Sequence, residues 1–166
     1  MERKIRLRTL WIVAVAAFVL FAAQAARVAD AEAAVSKQYL QNMYVQFLTS
    51  EGYVPEIDKD GDVRFKVEGL IYFIHVFEDD PEHFRLVLAN IWKIESEYEK
   101  QQAMAAANFA NTRSKAAKVT VVNDDVWVSI EQFVAKPEDF KGIFRRILSA
   151  LQNGMRTFAN KMKEGR

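Results

Sequence analysis

From Val35 onward the apolar positions recur every three to four residues. Val35, Tyr39, Met43 and Phe47 form one line, and Leu40, Tyr44 and Leu48 lie beside it. That spacing predicts an amphipathic helix, and Glu51-Gly52 ends it, glycine being suited to the left-handed position after a helix. The pattern then changes to a period of two. Tyr53 to Ile57 reads as a short extended piece, and Pro55 suits it to a sheet edge. Val63, Phe65 and Val67 alternate with Arg64, Lys66 and Glu68, as in a half-buried strand that Gly69 breaks. Leu70 to Phe77 is almost wholly apolar and reads as a central strand.

Phe84, Leu86 and Leu88 alternate again, and the apolar run continues to Ile94. Residues 84–94 could also wind as a helix. Ser96-Glu97-Tyr98-Glu99 favours a strand, because S-x-x-E is a capping box and starts a helix at Ser96. That helix is alanine-rich, runs to about Arg113, and its small side chains suit close packing against a sheet. Lys118–Val122 and Val126–Val134 follow as strands joined through Asn123-Asp124-Asp125. Pro137-Glu138-Asp139 opens a last helix with acids in its first turn. Its apolar stripe runs from Phe140 through Phe144, Leu148, Leu151 and Phe158 to Met162. The predicted order is α-β-β-β-(β)-α-β-β-α. Strand runs joined by tight turns mean an antiparallel sheet packed on helices, an α+β fold.

The segment before Val35 has a different character. Arg3, Lys4, Arg6 and Arg8 precede an unbroken apolar run from Leu10 to Ala23. As a helix the run would be about 21 Å long at ~1.5 Å per residue, short of a bilayer core of about 30 Å. It fits the apolar region of a signal peptide, with A-x-A cleavage candidates at Ala23-Gln24-Ala25 and Ala29-Asp30-Ala31. The expected organisation is a signal peptide, or an uncleaved membrane anchor, over 1–25, a linker over 26–34, and one domain over 35–166. Either form places the domain outside the cytoplasm, in the periplasm or envelope, with membrane contact only through an uncleaved N-terminus.

Composition narrows the chemistry. There is no cysteine, which excludes disulfides, thiolate metal sites and a cysteine nucleophile. A net charge of +1 argues against nucleic acid as a partner. Charge is nevertheless segregated: residues 51–99 hold 13 acids and 5 bases, and residues 100–166 hold 6 acids and 12 bases. Solvation of each half accounts for this, with complementarity between the halves as the alternative.

Few residues look like chemistry. Asp58, Asp60 and Asp62 have the spacing of calcium-loop ligands, but the glycine falls at the fourth position rather than the sixth, and Gly69 stands where the bidentate glutamate belongs. Asp60-Gly61 between alternating segments is a hairpin signal instead. His75 and His83 have no motif around them, and Glu95, Glu97 and Glu99 suit a helix start. No nucleophile elbow, zinc-protease motif or phosphate loop occurs, so neither catalytic residues nor a cofactor are expected. Candidate partner contacts are Tyr39 and Met43 on the first helix and the pair Asn108 and Asn111 on the second, where a hydrogen-bonded helix end near Arg113 is the other reading. A small-ligand or metal-binding envelope protein, using the Asp58–Asp62 loop or a pocket on the sheet, is the second reading.

Three segments together resemble a known family: Gly52–Leu86, Ala105–Val134, and the last helix ending in Phe158-Ala159-Asn160-Lys161-Met162. They are similar to the YbjN-like group, often labelled bacterial sensory transduction regulators, whose fold is like that of type III secretion chaperones. The resemblance implies a curved antiparallel sheet packed on helices. It further implies a non-enzymatic module that binds a protein partner, and it admits a homodimer. It brings no catalytic residues.

Overall fold

In this computed structural model the described residues are 35–164. The predicted signal or anchor segment and the linker lie outside them. Among the described residues no helix is long and apolar enough to cross a membrane.

Helix α1 spans Lys37–Ser50, with Ser36 as N-cap accepting the amide of Tyr39. Gly52 adopts φ +87°, and the Gly52 and Tyr53 amides donate to the carbonyls of Thr49 and Leu48, so the helix ends as its sequence suggests. The strands are β1 (Glu56–Ile57), β2 (Val63–Val67), β3 (Leu70–His75) and β4 (His83–Lys93). Helix α2 (Glu97–Arg113) leads to β5 (Lys118–Val122) and β6 (Asp125–Phe133). A 3-10 turn at Pro137–Asp139 then opens the long helix α3, Phe140–Glu164.

All six strands form one antiparallel sheet in the order β1-β2-β3-β4-β6-β5. Residues 84–93 are therefore strand, the reading that the capping signal after them favours. The box itself is only half closed. Ser96 accepts the amide of Glu99, while the Glu99 carboxylate reaches back to the amide of Glu95 and to the indole of Trp92. The β5–β6 connection is tighter than expected: Asp125 already pairs with Val122, leaving Asn123-Asp124 as a two-residue turn with Asn123 at φ +57°.

One sheet face carries the core. Val63, Phe65, Tyr72, Ile74, Leu86, Leu88, Val128 and Ile130 are buried there together with Leu40, Tyr44 and Leu48 of α1 and Phe144, Leu151 and Phe158 of α3. Phe140 sits among the rings of Phe47, Tyr44 and Phe84 at 4.9, 5.0 and 5.1 Å. The alanines of α2 (Ala103, Ala106, Ala107 and Ala110) are buried, and the helix packs on α3 and β5 rather than across the sheet. Gly154 lets α3 lie close to the sheet: a β-carbon there would lie 2.9 Å from Cβ of Ala117, just before β5, and 3.4 Å from Cγ1 of Val128 in β6.

Candidate functional site

The alternate positions of the strands lie on the face away from this core, and they form a ladder of charges. Asp62 stands 3.8 Å from His75, Arg85 stands 3.4 Å from Glu131, and Glu131 accepts from Lys118 at 2.7 Å. Burial pushes the His75 imidazole below its ordinary pKa, against the pull of Asp62. The Lys118 hydrogen bond lowers Glu131. The two histidines do not converge on one point. Phe77 stacks on His83 at 4.7 Å, with its ring 6.0 Å from that of His75. Among the described residues no group of three or more metal-ligating side chains comes together.

The Asp58–Asp62 segment is the β1–β2 turn. Oδ1 of Asp58 accepts the amides of Asp60 and Asp62 at 2.9 and 3.0 Å, and Oδ1 of Asp62 accepts the amide of Val76. Gly61 adopts φ +88°. Helix α1 clasps the turn, with Lys37 donating to the Asp60 carbonyl and Gln41 to that of Gly61. Asp58 thus serves the backbone of the hairpin, and Asp62 ties the turn to the chain just after β3.

The four candidate contact residues are scattered. Tyr39 is 47% exposed and its hydroxyl donates to Glu138, an interaction that raises the tyrosine pKa and lowers that of the carboxyl. Met43 lies in the core at 6% exposure, so of the two candidates on this helix Tyr39 alone faces outward. Asn108 is exposed. Asn111 holds backbone instead of facing a partner. Its amide nitrogen donates to the Val119 carbonyl at 3.0 Å and its oxygen accepts the Val119 amide at 2.8 Å. The hydrogen-bonded ends of the two-residue turn orient Val122, Thr120 and Lys118 toward β6, so Val119 turns its backbone outward. Asn111 therefore occupies the free edge of β5. Ser114 accepts the Ala117 amide beside it.

The opposite edge is built differently. Glu68 at φ +51° and Gly69 at φ +83° make a two-residue turn between β2 and β3. By the same alternation, Val67, Phe65 and Val63 face β3 with their backbone groups, and Arg64 and Lys66 turn theirs the other way. Arg64 meets Glu56 of β1, with an ion pair of 2.8 Å between their side chains. The β1 ladder goes no further: its register is Glu56↔Arg64 and Ile57↔Val63, and no described residue pairs with Lys66 on that side. Toward its N-terminus the chain leaves the sheet at Pro55. Val54 is 88% exposed, and Tyr53 packs over Phe65 at 5.2 Å.

A groove of about 440 Å³ results, lined by Tyr53, Val54, Arg64, Phe65, Lys66 and Ile71 among others. It holds an unpaired strand edge, apolar walls and one cation, Lys66, that is in no ion pair among the described residues. The sequence offered one signal for it, a proline just before a very short strand. Sequence reasoning placed Pro55 at an edge but did not connect that edge with Lys66 and Ile71, which come close only through pairing.

Comparison with known proteins agrees with this architecture. Residues 38–161 match the family model TY-Chap1, described as type III secretion (YopN, CesT) and YbjN peptide-binding chaperone 1. The crystal structure of YbjN from E. coli superposes with a TM-score of 0.53 at 13% identity, covering 72% of this chain and 92% of that one. A chain of the HopA1–SchA chaperone–effector complex gives 0.50 at 12% identity, covering 71% and 94%. At these identities the two structures speak for the fold alone. No curated protein matches in sequence.

Proposed function

Because this chain belongs to the TY-Chap1 family of type III secretion and YbjN peptide-binding chaperones, we propose that it binds an extended peptide of a partner protein at the open edge of β2. The chain is a non-enzymatic, chaperone-like binding module with protein partners. The observation that carries it is the contrast between the two sheet edges. Asn111 holds the outward N–H and C=O of Val119 on β5, whereas Lys66 of β2 presents its own to a groove with apolar walls. An exposed edge takes up a strand through main-chain hydrogen bonds, and neighbouring pockets take alternate side chains. β1 has only two residues, both exposed, so its displacement would extend the available edge to Arg64.

Lys66→Pro tests this. Proline removes the outward N–H and is tolerated at an edge. Peptides selected from a random library on the native protein should lose binding to the variant, while the folded signal in circular dichroism persists. Equal affinity for the two proteins would contradict the proposal.

Export belongs to the same proposal. Its support is the basic segment followed by the apolar run Leu10–Ala23 and the two A-x-A sites. N-terminal sequencing of the envelope product should find Ala26 or Glu32 first, or Met1 in the membrane fraction if the anchor stays. An intact Met1 in a cytoplasmic soluble fraction contradicts export.

A further inference from the structure

We infer that the groove selects a short peptide pattern, an acidic residue flanked on both sides by apolar ones. The inference rests on the strand-addition reading above. Side chains of a β-strand alternate between the two sheet faces, and a residue directly opposite another shares its face. A peptide residue paired with Lys66 therefore projects onto the helix-free face, beside the Lys66 side chain and its cross-strand neighbour Ile71. Lys66 is exposed and in no ion pair among the described residues, whereas Arg64, the next cation on that face, is held by Glu56. An acid opposite Lys66 gains a partner there, and a base meets a like charge.

The peptide residues on either side project onto the other face. There they meet apolar surface: Tyr53 where it packs on Phe65, and the half-buried Val67. Val54 lines the groove and leaves most of its surface in water in the free protein, and an apolar neighbour would cover it. Ile71, 38% exposed, lines the groove from the helix-free side and can cover the methylene stem of the acidic residue. The chemistry at the centre of the groove is thus one cation between two apolar subsites, and its complement is an extended apolar–acid–apolar segment.

A charge swap tests the pattern on the full-length protein. Two fluorescein-labelled heptapeptides are compared by anisotropy, one with a central Leu-Glu-Leu and one with Leu-Lys-Leu, against native protein, Lys66→Gln and Lys66→Glu. Opposite-charge and like-charge cross-strand pairs together should favour the Glu peptide on the native protein by about five- to tenfold. The preference should vanish in Lys66→Gln and invert in Lys66→Glu. Lys66 is exposed on the surface, so the fold survives both changes, which circular dichroism checks. Binding of both peptides with no preference on any of the three proteins overturns the pattern and leaves strand addition standing. If neither peptide binds, and the library-selected peptides also ignore Lys66→Pro, then strand addition itself is wrong.

Discussion

Replacing Asn111 by alanine removes two hydrogen bonds at once. The side-chain amide of Asn111 donates to the Val119 carbonyl at 3.0 Å and accepts from the Val119 N–H at 2.8 Å. Neutral hydrogen bonds each contribute about 1 kcal/mol net, so the pair contributes about 2 kcal/mol. Alanine is the better helix former, and recovers roughly 0.6 kcal/mol within α2. The net cost is about 1.5 kcal/mol, or about 5 °C in melting temperature for a domain of this size. Urea and thermal unfolding read the magnitude. Hydrogen exchange at the Val119 amide reads the cause, and it should accelerate while amides in β4 keep their relative protection. Asn111→Asp separates the bonds. A carboxylate still accepts from Val119 N–H but sets an anion against the carbonyl, so this variant should be less stable than Asn111→Ala at pH 7. Protonation restores a donor, which raises the folded-state pKa of the introduced carboxyl above its unfolded value. The variant should therefore regain stability relative to native protein as pH falls through that folded pKa. If Asn111→Ala matches the native protein in stability and in Val119 exchange, Asn111 does not close the β5 edge.

Three further outcomes are expected. Asp58→Ala removes the acceptor of two turn amides and should cost about 1–2 kcal/mol, while Asp60→Asn should leave stability unchanged with or without calcium; a calcium-dependent rise in melting temperature lost in Asp60→Asn would restore the metal reading. Gly154→Val overpacks the contact with Ala117 and should cost about 1–3 kcal/mol in urea unfolding, with part of the loss recovered in the double variant with Ala117→Gly; a neutral single variant would show that α3 is not held so close to the sheet. The folded-state pKa of His75 lies below its unfolded value, so the unfolded chain binds the proton first, and stability should fall as pH drops below about 6.5 toward the lowered folded value. His75→Gln should flatten that part of the stability profile, and an unchanged slope would assign it to other groups.

Much of the fold was legible because its signals are local. Ser96 with Glu99 marked the start of α2 and so favoured β4 as a strand, and Asp60-Gly61 marked a hairpin. The periodicity of α3 held through its whole length. The candidate site was less legible for a physical reason: an edge is defined by what does not pair with it. Lys66 reads as an ordinary polar position of an alternating strand, and only the early end of the β1 ladder and the course of Tyr53-Val54-Pro55 turn it into a groove floor. Asn111 was noticed as a polar residue among alanines, but its partner Val119 lies beyond the helix end, and the use of its amide as a substitute strand became visible only with the sheet order. Met43 shows the limit of periodicity. It belongs to the same stripe as Tyr39, yet the stripe is wider than the buried surface, and the side chain toward its middle is the one that reaches the core.

Binding at the β2 edge turns on one backbone unit, that of Lys66, and amide hydrogen exchange followed by NMR measures it directly. In the free protein the Lys66 N–H should exchange fast, in contrast to its neighbours Phe65 and Val67, whose amides bond to β3. Adding a saturating apolar–acid–apolar heptapeptide should slow Lys66 selectively and leave the Val119 amide, already held by Asn111, unchanged. Slow exchange of Lys66 before any peptide is added, or protection that appears on the helices while Lys66 stays fast, would contradict binding at the β2 edge.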